Sequence, residues 1–183
     1  MDDADGFTPD PFAPLSPQDM HLADGSAPAG PAGEVWQPII PAPEEPPEAN
    51  RIRHPKHGAA AARWVYRDEV GRPLFAAVRF DTTKPDGTEG KEVLPYTFGH
   101  RRWMLKSGKH AGMWRDTTGW CWKRPPTPVP IYGLDRLAAR PCAPALVCEG
   151  EKKADAAAQL FPDTVAIASQ GEARRLAIRI GNP

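Results

Sequence analysis

The chain has 183 residues, and its 23 basic side chains balance its 23 acidic ones, so the formal net charge is zero. Its apolar runs are far shorter than the roughly 20 residues that cross a bilayer, and the opening Met-Asp-Asp lacks the features of a secretory signal. The three cysteines form no Cys-x-x-Cys pair, which argues against a zinc site. Their odd number, without a signal peptide, predicts reduced thiols, so we expect a cytoplasmic protein with no membrane partner.

Charge and proline are distributed unevenly along the chain. Residues 1–50 contain 10 acidic side chains, no Lys or Arg, and 11 of the 23 prolines, whereas residues 51–183 carry all 23 basic groups against 13 acidic ones. A segment of the first composition buries too little apolar surface to offset the entropy lost on ordering. We therefore predict a disordered, acidic, proline-rich tail at residues 1–50.

An apolar patch at 35–40 lies near the end of this tail and leads into the prolines of 41–47. Because proline fixes φ and has no amide proton, we expect extended backbone here that is not paired in a sheet. We interpret Trp36 and the neighbouring isoleucines as a short arm that lies on its own domain. Docking onto a partner is the alternative.

Residues 51–129 have the pattern of a small β region. Apolar side chains alternate on both sides of Gly71-Arg72-Pro73, which predicts a β-hairpin. Lys84-Pro85-Asp86-Gly87 predicts a turn, and further strands are expected near 91–96, 102–105 and 119–122. Together they predict an antiparallel sheet with one solvent-exposed face.

Basic and tryptophan side chains are concentrated at 100–124. Basic groups neutralise phosphates and exposed indoles stack on unpaired bases, so this segment is a candidate site for single-stranded DNA or RNA. The alternative is that the tryptophans fill the core of the sheet while Lys and Arg are solvated on its outer face. The candidate residues are Arg101, Arg102, Trp103, Lys106, Lys109, Trp114, Arg115, Lys123 and Arg124.

Beyond the prolines of 125–130 the pattern changes to α/β, so the predicted fold class is α+β. A short helix is expected at 134–140, followed by an apolar strand at 145–148, an alanine-rich helix at 151–160 and an apolar strand at 164–168. Short strands that are apolar throughout are typical of a parallel sheet buried on both faces. Residues 130–183 are therefore predicted to contain one β-α-β unit, which is not a stable domain by itself.

Cys148-Glu149-Gly150-Glu151-Lys152-Lys153 follows the first predicted parallel strand, at the end of the sheet where ligands bind. Gly150 allows a tight turn, and a nearby helix N-terminus favours the ionised form of a carboxylate. An ionised glutamate here can ligate Mg²⁺ or transfer a proton. The alternative is that these acidic residues only stabilise the start of the helix.

The order apolar strand, Glu-Gly-Glu-Lys, alanine-rich helix, apolar strand, Ser-Gln-Gly resembles the start of a Toprim domain. The chain is most similar to Toprim-containing primase-like proteins of phages and plasmids, where segments similar to 64–71 and 130–137 precede that strand. The resemblance implies that Glu149 is the general acid/base, that Gly150 is the turn glycine, and that Gly171 is the glycine after the second strand. It also implies Mg²⁺ as the cofactor of complete relatives.

The third-strand Asp-x-Asp motif, which holds Mg²⁺ in that family, is not found in this sequence, since no Asp follows Asp163. We therefore expect a truncated or frameshifted product, inactive alone, with Glu149 as the single candidate ligand of an incomplete metal site. The resemblance implies a role in DNA replication of a mobile element or plasmid. The implied partners are single-stranded DNA or RNA, a helicase and the remainder of the Toprim protein.

Two alternatives belong to other functional classes. One is a non-catalytic module that binds single-stranded nucleic acid through the β region. The other is an interaction protein in which the acidic tail masks the basic surface of the same chain, because segments of opposite charge are joined in one polypeptide.

Overall fold

A computed structural model describes residues 34–169, which form a mixed α+β fold dominated by strands. The strands are β1 (Glu34–Pro38), β2 (Arg53–His54), β3 (Gly58–Ala59), β4 (Ala62–Arg67), β5 (Pro73–Thr83), β6 (Glu89–Met104), β7 (Trp114–Cys121), β8 (Ala145–Cys148) and β9 (Val165–Ala168). The α-helices are α1 (Leu134–Ala139) and α2 (Glu151–Leu160). Within this range neither helix has the length and apolar character needed to cross a membrane. Residues 1–33 of the predicted tail, and Gly171, lie outside the described residues.

A five-stranded antiparallel sheet organises the β region, in the order β1-β6-β5-β4 with β7 also paired to β6. The predicted hairpin is confirmed as β4 and β5. The strands expected near 91–96 and 102–105 are one long strand, β6, which runs through Pro95. Proline is tolerated there because β6 is paired only with β5 at that point, and β7 joins from Thr97 onwards.

Residues 34–50 are ordered parts of the fold, so the prediction of a disordered tail is wrong for this segment. Strand β1 pairs with the C-terminal half of β6, with Glu34 opposite Trp103, so the expectation of unpaired backbone is wrong as well. The arm does lie on its own domain: a Cβ added to Gly99 would come within 2.6 Å of Cη2 of Trp36. Glycine at position 99 therefore allows the indole to pack directly on β6.

Acidic side chains counted as part of the tail make ion pairs with the sheet. The guanidinium of Arg67 lies 2.6 Å from a carboxylate oxygen of Glu45, and that of Arg63 lies 2.5 Å from Glu48. These contacts attach residues 45–48 to β4. From composition alone these carboxylates are expected to be solvated, whereas in the structure they form ion pairs with arginines of the folded chain.

Both faces of the central strands are covered, so the expectation of a solvent-exposed face is wrong for β4 and β5. On one face Ala76, Val78 and Phe80 pack with Ile52 and Trp122. On the opposite face Tyr66, Phe75 and Ala77 pack with Trp64, Leu74 and Tyr132. The second face is apolar because Phe75 and Ala77 fill positions where a half-exposed strand would carry polar side chains.

Strands β8 and β9 are parallel and are joined by α2, as predicted. Ala154 and Ala157 of α2 are buried against Ala166 and Ala168 of β9. The expectation that both strands are buried on both faces is wrong for β8, since Val147 is 56% exposed. Among the described residues β8 pairs only with β9, so it forms one edge of this two-stranded sheet.

Candidate functional site

A cleft of about 400 Å³ lies where the carboxyl ends of β8 and β9 approach β6. Glu149 follows β8, Ser169 follows β9, and Glu151 begins α2. The lining residues are Val93, Pro95, Arg124, Pro125, Thr127, Val129, Glu149, Glu151 and Ser169. Charged groups therefore meet at the end of the parallel strands, the usual position of ligand sites in α/β units.

Glu149 is the most accessible carboxylate of this cleft, with 80% of its side chain exposed. It accepts a hydrogen bond from the ammonium group of Lys153, one helical turn further along the chain. This bond and the positive charge of Lys153 hold the pKa of Glu149 below its usual range. The carboxylate is therefore ionised at neutral pH, and its ion pair with Lys153, being exposed, contributes little stability.

Tyr66 connects the start of α2 to the β region through a contact that is not among those predicted from the sequence. Its hydroxyl donates a hydrogen bond of 2.7 Å to Oε1 of Glu151. The ring is fully buried and stacks on Phe75 at 4.2 Å between ring centroids. Burial, and next the bond to Glu151, raise the pKa of Tyr66 far above its usual value. Because 85 residues separate Tyr66 from Glu151, no local pattern predicts this contact.

Tyr132 makes a second connection to α2. Its hydroxyl donates a 2.8 Å hydrogen bond to Asp155, and its backbone N–H donates a 2.6 Å bond to the carbonyl of Ala168. Gly133 follows with φ of 87°, and a Cβ there would lie 2.9 Å from the carbonyl oxygen of Ala166. Segment 130–137 thus packs directly against the end of β9 that lines the cleft.

The carboxylates of the cleft do not make a magnesium site by themselves. Mg²⁺ requires near-octahedral oxygen coordination and usually takes one or two carboxylates together with phosphate oxygens and waters. In residues 34–169 no three His, Cys, Asp or Glu side chains are grouped so that they could hold a metal ion. One carboxylate oxygen of Glu151 is already bonded to Tyr66. The carboxylate oxygens in residues 34–169 therefore do not fit Mg²⁺, the cofactor that the resemblance implies.

The predicted nucleic-acid-binding residues do not form one surface, because β6 and β7 place successive side chains on opposite faces. On one face the guanidinium carbon of Arg101 lies 4.6 Å from the centre of the Trp103 ring. On the other face the guanidinium of Arg102 lies 5.0 Å from the centre of the Trp114 ring. Arg115 pairs with Trp103 across the strands and so belongs to the first face.

Glu34 engages two of the predicted phosphate-binding groups. One of its carboxylate oxygens lies 2.9 Å from Nε of Arg101 and 2.5 Å from Nζ of Lys123, and its side chain is only 11% exposed. Partial burial raises the pKa of Glu34, but the hydrogen bonds from Lys123 and Arg101 outweigh burial and hold the pKa below its usual range. Glu34 is not among the residues predicted from the sequence, because its position in the acidic, proline-rich stretch assigns it to the tail.

The remaining candidates lie in three places. Lys106 and Lys109 are exposed in the connection between β6 and β7, and Trp114 is 41% exposed at the start of β7. Arg124 lines the cleft beside Glu149. Trp120 and Trp122, by contrast, pack on Tyr96 at 5.7 and 4.3 Å between ring centroids, as the alternative of core tryptophans predicts.

Comparison with known proteins does not identify this cleft. No family model matches the chain, and neither a curated protein nor a solved structure matches it. A function for this chain must therefore follow from its own residues and from the resemblance of its sequence motifs.

Proposed function

We propose that the chain is the N-terminal part of a Toprim-type, primase-like protein that acts in DNA replication of a mobile element or plasmid. The observation that carries the proposal is the position of Glu149, directly after a parallel strand and before an alanine-rich helix. This carboxylate opens onto a cleft that also contains Arg124. The arrangement suits a substrate with a negatively charged phosphate and a hydroxyl that must lose its proton.

Two side chains of the cleft have distinct roles in this proposal. Glu149, which is ionised, accepts the proton of the attacking hydroxyl when the phosphodiester bond forms. Arg124 also lines the cleft and donates hydrogen bonds to phosphate oxygens. Tyr66 and Tyr132 act as positioning residues, because they hold α2 and β9, which border the loop of Glu149. If an Asp-x-Asp motif from a further polypeptide segment lay beside Glu149, these carboxylates would hold Mg²⁺, which would supply charge neutralisation at the phosphate.

Primer synthesis tests the role of Glu149. We expect no synthesis by the 183-residue chain, either unchanged or as Glu149→Gln. In a fusion that adds a third Toprim strand with Asp-x-Asp, we expect synthesis that Glu149→Gln lowers by about 10²- to 10⁴-fold, the usual contribution of general acid–base catalysis. The measurement is incorporation of labelled nucleotides on a single-stranded template.

Glu69→Gln is the matched control for this experiment, because Glu69 is an exposed glutamate in the β4–β5 turn. It should leave synthesis unchanged. An active fusion that tolerates Glu149→Gln would contradict the proposed role of this glutamate. Synthesis by the unmodified chain that is lost in Glu149→Gln would support the residue and contradict the need for a further strand.

A second candidate function is binding of single-stranded nucleic acid without catalysis. The specific observation is the exposed indole of Trp114 beneath the guanidinium of Arg102, at the end of the β6–β7 connection that contains the exposed Lys106 and Lys109. An indole of this kind stacks on an unpaired base, and the cations neutralise the flanking phosphates. The opposite face is less suitable because Glu34 engages Arg101 there at 2.9 Å, whereas the nearest acid to Arg102 among the described residues, Asp116, lies 3.9 Å away.

We therefore expect weak binding of an oligothymidylate, measured by fluorescence anisotropy, with an affinity that falls steeply as salt is raised. Trp114→Ala should weaken binding by about 5- to 150-fold, because stacking on one aromatic ring contributes about 1–3 kcal/mol per base. Trp120→Phe is the control, since Trp120 is packed against Tyr96 and should not contact a base. Equal losses in both variants would argue against stacking on Trp114.

A further inference from the structure

The end of the β6–β7 hairpin is an exposed surface that is both basic and apolar. Residues 102–115, which we call the hairpin tip, contain four Lys or Arg residues and no acidic residue. Met104, Met113 and Trp114 are among the large apolar side chains exposed to solvent there. A surface of this composition favours a ligand that has carboxylates or phosphates together with apolar groups.

The acidic part of the same chain joins the fold next to the hairpin tip. Glu34 is the first residue of β1 and is paired with Trp103 of β6, so residues 1–33 are attached beside residues 102–115. Residues 1–33 carry six aspartates and no Lys or Arg. They also contain the apolar side chains of Phe7, Phe12 and Leu15. The two segments are therefore complementary in charge and in apolar character.

Glu34 is an acidic residue that makes such a contact with basic groups of the β6–β7 region in the structure. It belongs to the same stretch of 50 residues without Lys or Arg, and it bridges Arg101 and Lys123 at 2.9 and 2.5 Å. Acidic residues of this stretch thus already pair with basic groups of the β6–β7 region.

Distance favours the hairpin tip over the other basic groups of the sheet. Residues 1–33 join the fold at Glu34, opposite Trp103, and Lys106 is only three residues beyond Trp103, or about 10 Å along an extended chain. Lys84 and Lys91 lie at the opposite end of the sheet, and Lys91 is twelve residues from Trp103, or about 40 Å along β6. A short tether also gives an effective concentration in the millimolar range.

We propose that residues 1–33 dock on the hairpin tip of the same chain. The aspartates pair with Lys106, Lys109 and the neighbouring arginines, and the apolar side chains cover Met113 and Trp114. This docking goes beyond the proposed functions. Its consequence, that the acidic segment competes with single-stranded nucleic acid for Trp114, rests on the second candidate function.

Carbodiimide cross-linking, which joins carboxylates to lysines in direct contact, tests the docking in the full chain without nucleic acid. At low salt we expect cross-linked peptides that join residues 1–33 to Lys106 and Lys109, and their loss at about 1 M salt, where charges are screened beyond about 3 Å. Lys84 and Lys91 are the comparison, because they are exposed lysines at the far end of the sheet. The cross-link of Glu34 to Lys123 is the internal positive control.

A variant with all six aspartates of residues 1–33 replaced by asparagine should lose the cross-links to the hairpin tip and keep that of Glu34 to Lys123. Cross-links from residues 1–33 that are as frequent at Lys84 and Lys91 as at Lys106 and Lys109, or are absent from the tip, would overturn the proposal.

The predicted competition between residues 1–33 and single-stranded nucleic acid for Trp114 is tested separately, by measuring nucleic-acid affinity. The six-asparagine variant should bind the oligothymidylate about tenfold more tightly than the unchanged chain at low salt, if a millimolar effective concentration is set against a docking constant of about 0.1 mM. If neither protein binds the oligothymidylate, the second candidate function is contradicted. Whether residues 1–33 dock on the hairpin tip is decided by the cross-links alone. Equal affinity of the two proteins, with cross-links at the tip, would show that docking and base stacking use different parts of this surface and would overturn the competition.

Discussion

Phe80→Ala is expected to lower the free energy of unfolding by about 3–5 kcal/mol, the usual loss for a buried phenylalanine. Its ring is fully buried in the cluster that includes Ile52 and Val78. Its centroid lies 5.7 Å from His54 and 5.6 Å from Trp122. The alanine variant would leave a cavity between the sheet and residues 52–60, because this cluster joins several elements and cannot collapse around the missing ring.

Urea unfolding at neutral pH, followed by tryptophan fluorescence, measures this loss. Phe161→Ala is the matched control, since it removes the same ring from a side chain that is 52% exposed. Surface changes of this kind usually alter stability by no more than about 0.5 kcal/mol. Similar losses in the two variants would mean that Phe80 is not part of the core.

Stability at alkaline pH is expected to depend on Tyr66. Burial and the bond to Glu151 raise the pKa of Tyr66, so the folded chain keeps a proton that the unfolded chain releases near pH 10. The contribution of this group is fully present below about pH 10, and it is lost progressively as the pH rises further. The free energy of unfolding should fall by about 1.4 kcal/mol per pH unit above about pH 10 on account of Tyr66 alone.

Tyr66→Phe should remove that part of the slope. It should also lower stability at neutral pH by about 1.5–3 kcal/mol, because a hydrogen bond to a charged acceptor is lost. Urea unfolding between about pH 8 and about pH 11 measures both effects. Tyr132→Phe should show a similar change, since burial and the bond to Asp155 raise the pKa of Tyr132. An unchanged alkaline slope in Tyr66→Phe would contradict the buried contact with Glu151.

The Tyr66 contact also matters for the cleft. Glu151 begins α2 only two positions after Glu149, so loss of the Tyr66 bond removes one connection between the helix start and the sheet. If the cleft binds the phosphate-containing substrate proposed above, its affinity should therefore fall in Tyr66→Phe while the pKa of Glu149, which depends on Lys153, stays low. The bond between Tyr66 and Glu151 thus connects the stability of the β region to the proposed chemistry of the cleft.

The sequence by itself determined the elements whose signals are local. The alternation around Gly71 predicted β4 and β5, and the apolar, alanine-rich pattern of 145–168 predicted a parallel pair joined by a helix. These predictions succeed because side-chain periodicity and turn residues act within a few positions of the chain. The position of Glu149 after a strand follows from the same local pattern.

Only the tertiary structure decided the contacts that complete the candidate sites. Glu34 meets Arg101 across 67 residues, and Tyr66 meets Glu151 across 85. Composition treats residues 34–50 as one acidic stretch, whereas their order comes from a free edge on β6, a glycine under Trp36 and arginines placed opposite the carboxylates. Alternation also divides the basic segment between two faces. Such pairings depend on which edges and faces the folded sheet leaves available, and a linear pattern carries no information about that geometry.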